Sequence, residues 1–150
     1  MRIPPPILLL VCLLAGWALD QGRSWLILPA TRWVAPRVAL SGVLILLGLG
    51  VIVYCARQFK NAQTRIEPWR PTSSIITTGP YRYSRNPIYL AFAIAGAGIA
   101  LAFNTWWMFL SLLVFVLIAN KLVIEREERY LERKFSESYL NYRRETRRWL

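Results

Sequence analysis

The stretch NPIYLAFAIAGAGIALAFNTWWMFLSLLVFVLIAN, from Asn86 to Asn120, carries no charged residue over 35 positions. A bilayer core of ~30 Å is crossed by about 20 helical residues, so the stretch is too long for one span and too apolar for a surface helix. Its polar interruption, Asn104-Thr105, suits a tight turn between helices and divides it into spans at 87–103 and 105–124. Both are short, so they stand with little tilt or thin the bilayer locally. Upstream, Val38 to Ala56 is uncharged over 19 residues and reads as another span, and Ile3 to Leu19 is also uncharged. Arg2, the apolar run and Gly16/Ala18 also resemble a secretory signal peptide. Pro4-Pro5-Pro6 is an awkward start for one, and the run is expected to stay as a span. The expectation is an all-α, polytopic membrane protein, a single domain over 1–150. It has four spans near 3–19, 38–56, 87–103 and 105–124, a polar loop at 57–86 and a C-terminal amphipathic helix at 124–149.

Composition narrows the chemistry. The chain has 150 residues, a formal net charge of +11 and 55% apolar residues. Charge and apolar residues are segregated along the chain, as in a membrane protein. There is no histidine, which excludes His-based general bases, Ser-His or Cys-His catalysis and imidazole metal sites. No metal is expected. Cys12 and Cys55 sit in apolar runs and read as small buried hydrophobes. Nucleic-acid binding is not expected, because the nine basic residues from Lys121 onward are interleaved with six acids and no recognition motif is present.

Lys and Arg in short loops set orientation. The 20–37 loop has Arg23, Arg32 and Arg37. The 57–86 loop has Arg57, Lys60, Arg65, Arg70, Arg82 and Arg85, and the turn at 104 has none. The 57–86 loop and the tail are therefore expected on the cytoplasmic side, with both termini, in a bacterial cytoplasmic membrane. A site built from both segments would open to the cytoplasm.

From Ile124 to Trp149 there is no Gly or Pro, and Ile124, Leu131, Phe135, Tyr139, Tyr142, Thr146 and Trp149 recur at helical 3/4 spacing. This predicts one amphipathic helix with a basic flank toward anionic lipid. Glu128 falls in the middle of its apolar stripe and Glu127 at the edge. A carboxylate on a buried face is costly unless paired or hydrogen-bonded. Glu128 therefore either meets an Arg of the 57–86 loop or awaits a cationic ligand. Glu125, Glu132 and Glu137 have ordinary i,i+4 partners.

The densest polar and aromatic segment is Thr77-Thr78-Gly79-Pro80-Tyr81-Arg82-Tyr83-Ser84-Arg85-Asn86-Pro87-Ile88-Tyr89. Gly79-Pro80 marks a turn, and Asn86-Pro87 reads as N-cap and N1 proline of a helix. With Arg82 and Arg85 beside it, that N-terminus suits an anion. Tyr81, Tyr83 and Tyr89 offer faces to a cation or base. Alternatively, the segment is a basic anchor with interfacial tyrosines. The helix that follows is rich in small residues. Gly96 and Gly98 either admit a neighbouring helix or let a cofactor lie against the backbone.

These residues resemble the isoprenylcysteine carboxyl methyltransferase family and its relatives, the phospholipid N-methyltransferases. The segment TTGPYRYSRNPIYL is similar to the family signature T-x-G-x-Y-x-x-x-R-H-P-x-Y. The tail EERYLERKFSESYLNYRRETRRW is similar to the ending E-E-x-x-L-x-x-x-F-G-x-x-Y-x-x-Y. Together they cover about residues 75–150. The resemblance implies a membrane enzyme that uses S-adenosyl-L-methionine without a Rossmann domain and acts on a lipophilic or prenylated substrate from the bilayer. By position, Ile75 and Ile76 would line the cofactor and Tyr81 would pack on it. Asn86, Pro87, Ile88 and Tyr89 would form the pocket at the helix start, and Glu127 and Glu128 would match the acidic pair that grips polar groups. The helical wheel favours Glu128 as the inward acid and the alignment favours Glu127. Arg85, Asn86 and Tyr89 are the candidates for catalytic work. Asn86 replaces the signature histidine, Ser136 the glycine after Phe135, and Val123 an arginine that in the prenylcysteine enzymes meets the substrate carboxylate.

A sulfonium methyl donor needs no acid for its leaving group. A carboxylate acceptor needs no base at pH 7, whereas an amine must lose a proton. With no histidine, Glu127, Glu128 or a tyrosine would have to help an amine, so the absence fits an anionic or already neutral nucleophile slightly better: the reading is carboxyl O-methylation, as in the isoprenylcysteine enzymes, with N-methylation of a phospholipid or other small lipophilic amine as the alternative. Two other readings differ in kind. One is an NADPH-dependent membrane sterol reductase, which shares an R-x-P-x-Y-like segment. The other is a non-enzymatic basic scaffold whose tail docks partners or membrane lipid.

Overall fold

The computed structural model describes residues 4–29, 33–62 and 74–150. Ile3 and the basic residues Arg2, Arg32, Arg65 and Arg70, used above for span and orientation, lie outside the described residues.

The described chain is helical, without a strand among the described residues. Helix α1 (Pro5–Gly22) starts on the proline run, where the missing N–H groups cost nothing. Helix α2 (Val34–Asn61) is longer than the expected 38–56 at both ends. The reason at its start is Arg37, whose Nη1 donates to the carbonyls of Leu101 (3.0 Å) and Ala102 (2.7 Å). A charge inside the helix thus satisfies the open carbonyl end of α3 (Pro87–Phe103). Asn104 ends α3 at φ 58°, the left-handed conformation that asparagine tolerates. Thr105 then caps α4 (Trp106–Ile118) by accepting from Trp107 N. The pair is the expected turn. It is held by Thr105 Oγ1 donating to Asp20 at 2.7 Å and by Asn104 bonding both ways to Leu28.

Among the described residues, three helices are long and apolar enough to cross a membrane: α1, α2, and the continuous helix that begins with α4. Helix α3 has 17 residues and is shorter. Large apolar side chains point outward along these helices, Leu46 being 71% exposed. A soluble protein would not leave such a surface uncovered, and the chain is a multi-pass membrane protein.

The small residues of α3 serve helix packing. A Cβ on Gly98 would lie 2.8 Å from the Ser41 carbonyl oxygen, and one on Gly48 2.7 Å from that of Ala91, so α2 and α3 approach backbone to backbone. A Cβ on Gly96 would meet Leu112 of α4 at 2.6 Å. Helix α1 packs mainly on α4, burying Leu9, Cys12 and Leu13 with Leu112 and Phe115.

Helix α4 runs through a π-helical turn (Ala119–Ile124) directly into α5 (Glu125–Glu145). The expected single helix over 124–149 is corrected in two places. Ser136 breaks α5 at φ 42°, ψ −116°, so sharply that Arg143 Nη1 lies 3.3 Å from Glu132 Oε2. Eleven positions along a straight helix would separate the two by ~16 Å. Glu132 therefore pairs across the kink and not with an i,i+4 neighbour. The helix also stops at Glu145, and residues 146–149 return as an extended strap. Three-four spacing cannot see either event, because the stripe keeps its burial through the bend. The kink explains the family glycine that Ser136 replaces, since a residue with a Cβ is strained at positive φ. Ser136→Gly is expected to stabilise the protein by about 1 kcal/mol and raise its unfolding midpoint in detergent by about 2–4 °C, read by a thermal melt.

Candidate functional site

At the end of the bundle opposite the Asn104 turn, a cavity of about 340 Å³ opens where four segments meet. Its walls come from the start of α1, the end of α2, the loop with the start of α3, and α5. The volume lies in the range of small-molecule sites.

The loop enters by a 3₁₀ turn, Gly79–Arg82, with Gly79 at φ 61° and the Tyr54 and Gln58 side chains against it. This turn buries Tyr81, whose ring meets Phe59 edge-on at 5.8 Å. Asn86 stands at the N-cap position of α3 with Pro87 at N1, but its side chain does not cap the helix. Its Nδ2 donates to the Arg148 carbonyl at 3.1 Å, and its N–H donates to Ser84 Oγ. The expected cap is thus a clasp for the returning strap. Arg85 Nη2 lies 3.1 Å from Glu128 Oε1, both side chains being 9% exposed. Arg148 grips the same carboxylate through Nε (3.2 Å) and Nη2 (2.6 Å).

Glu128 is therefore the buried, arginine-paired acid and is not free to take a cation. Glu127 differs. It is half-buried on the cavity wall, and its one hydrogen bond among the described residues is a long one, Tyr89 Oη donating at 3.5 Å. Burial, outweighing the Tyr89 bond and joined by the nearby Glu128 charge, pushes its carboxyl up to about 7. Burial likewise pushes the Tyr81 phenol upward, so it stays neutral.

Of the residues singled out from sequence, Ile75, Ile76, Tyr81, Arg85, Asn86, Ile88, Tyr89, Glu127 and Glu128 line the cavity. Pro87 is buried behind it and shapes the helix start. Gly96 and Gly98 are corrected: they do not line the cavity, because they are consumed in packing against α4 and α2. Arg82 and Tyr83 face outward. Sequence reading missed the apolar wall of Pro4–Pro6, Ile52, Phe59 and Phe92, which carries no signal beyond span hydrophobicity. It also missed Tyr139 and Tyr142, read as stripe only. Tyr142 Oη donates to the Tyr81 carbonyl at 2.7 Å and ties α5 to the loop.

The cavity lining carries groups of both charge signs. Glu127 faces the cavity without an arginine partner among the described residues, and the tyrosine rings suit a cation. Arg85 Nε is buried on the same wall with no acceptor among the described residues. An unmet buried donor of this kind calls for an anion.

A protein of Haemophilus influenzae described as uncharacterized is 41% identical over 56 residues, 35% of this chain and 89% of that protein. No solved structure matches. The sequence model described as phospholipid methyltransferase matches residues 36–138, running from the start of α2 through the loop and hairpin past the Glu127-Glu128 pair. With that match spanning more than half of the sequence, the chain belongs to the phospholipid methyltransferase family of membrane methyltransferases.

Proposed function

We propose that the cavity binds S-adenosyl-L-methionine from the cytoplasmic side and that the protein transfers its methyl group to the carboxylate of a lipophilic acid. The observation that carries this reading is the juxtaposition, among the cavity-lining residues, of Glu127 without an arginine partner among the described residues and Arg85, whose buried Nε has no acceptor among them. The bound donor supplies an electrophilic methyl on a sulfonium with a neutral thioether leaving group. The protein's own work is alignment and exclusion of water. Glu127, ionised, balances the donor's positive charge. Tyr81 and Tyr89 present buried faces, and the positive charge of Arg85 attracts a carboxylate.

The acceptor's tail fits the apolar wall of Pro4–Pro6, Ile52, Phe59 and Phe92. Here α1 and α2 each pack on a different partner, and the gap between them faces lipid. A carboxylate acceptor fits because the one cavity-lining acid without an arginine partner among the described residues is engaged by the donor, leaving no carboxylate in the cavity to strip a proton from an ammonium. The test is transfer of labelled methyl on membranes containing the protein, with mass spectrometry of the labelled product. Label on a base-labile ester of a lipophilic acid is expected. Label on a phospholipid amine replaces the acceptor assignment, and no transfer to any membrane component contradicts the reading.

A further inference from the structure

The strap Thr146–Trp149 lies beyond the family match at 36–138, yet each of its residues bonds to or packs against the loop and helix start that form the site. Thr146 Oγ1 donates to the Arg82 carbonyl at 3.5 Å, and Arg85 N donates to the Arg147 carbonyl at 2.9 Å. The Arg148 carbonyl accepts from Ser84 Oγ and Asn86 Nδ2, and Trp149 packs against the apolar cluster that includes Tyr89 and Ile124. The Arg148 guanidinium spans Glu128 and Asn120 Oδ1 (3.4 Å), joining α5 to the π-helical turn. The kink at Ser136 makes this return possible.

We propose that the strap braces the donor site from behind its lining residues and that Arg148 is its positioning residue, holding Glu128 through its guanidinium and Asn86 through its carbonyl. This rests on the reading that the cavity takes S-adenosylmethionine. Arg148 touches no ligand. It shares Glu128 with Arg85 on the cavity wall. It also offsets the Glu128 charge that disfavours ionisation of Glu127. The groups facing the acid pair are Tyr81 and Arg85 from the loop, Tyr89 from α3, Tyr139 and Tyr142 from α5, and Arg148. An ionised Glu127 is favoured by the Tyr89 hydrogen bond and disfavoured by the Glu128 charge, which is itself offset by the two arginines. Removing one of them moves the ionisation, and with it donor binding, to higher pH.

The experiment is calorimetric titration of the full-length protein in detergent with S-adenosylmethionine from pH 6 to 9. Arg148→Met is expected to weaken binding about tenfold or more at pH 7 and to move the midpoint of its pH dependence upward. Arg148→Lys, which keeps the charge but not the planar fork, is expected to keep the midpoint and regain most of the affinity. Arg147→Met, at an exposed side chain, is expected to behave as the parent. If Arg148→Met does not fold, Arg148→Gln carries the same expectation. Parent-like affinity and midpoint in Arg148→Met overturn the inference. So does a loss of affinity with an unmoved midpoint and no recovery by lysine, which would make Arg148 a packing residue only. A parent protein that does not bind S-adenosylmethionine overturns the functional reading itself.

Discussion

Glu127→Gln is expected to abolish most S-adenosylmethionine binding at pH 8 and to change little at pH 6. The carboxyl is raised to about 7 by burial, so at pH 6 the parent is largely protonated and resembles the amide. As pH rises the parent ionises and gains a charge-assisted contact with the cation, worth about 2 kcal/mol, or roughly thirtyfold in affinity. Parent affinity therefore climbs with pH to about 7 and levels off above it, while the variant's profile stays flat. Linkage fixes the sign for the empty protein too. Its raised carboxyl binds a proton more tightly than the unfolded chain does. Stability present below about pH 4.5 is thus lost as pH climbs through about 7, and ligand restores it. Calorimetry and thermal melts at the two pH values check both statements.

Glu128→Gln produces the largest loss of stability. It leaves Arg85 and Arg148 facing each other without their shared carboxylate. Removing one member of a buried ion pair costs about 3–5 kcal/mol. Arg148 is 32% exposed, so water screens part of the repulsion and the lower end applies, a fall of about 10 °C in unfolding midpoint. The two acids thus separate by readout: Glu128→Gln lowers the melting midpoint at every pH near neutrality, whereas Glu127→Gln acts chiefly on binding. A melting midpoint in Glu128→Gln equal to the parent's contradicts the pairing.

Much of this was legible in the sequence for physical reasons. Uncharged length reports spans, because lipid tolerates few charges. Asn104-Thr105 reported its turn because both residues satisfy backbone groups locally. The loop and acid pair stood out because polar residues beside membrane spans need partners. The partition between Glu127 and Glu128 was not legible. The wheel placed Glu128 inward correctly, but inward proved to mean toward two arginines, one of them 20 positions away along the chain. That partner is reached only through the Ser136 kink and the strap, which helical periodicity erases. Gly96 and Gly98 failed as cofactor candidates for a related reason. A small residue advertises close approach and does not say by what, and here helices α4 and α2 take both positions.

The most direct test of the central claim, that loop and tail helix form one donor pocket, is ultraviolet crosslinking of labelled S-adenosylmethionine to the intact protein followed by peptide mapping. The account predicts label confined to peptides carrying Ile75–Phe92 and Glu127–Tyr142, suppressed by excess S-adenosylhomocysteine. Label at the Trp25–Trp107 end of the bundle, or no competable label at all, would contradict it.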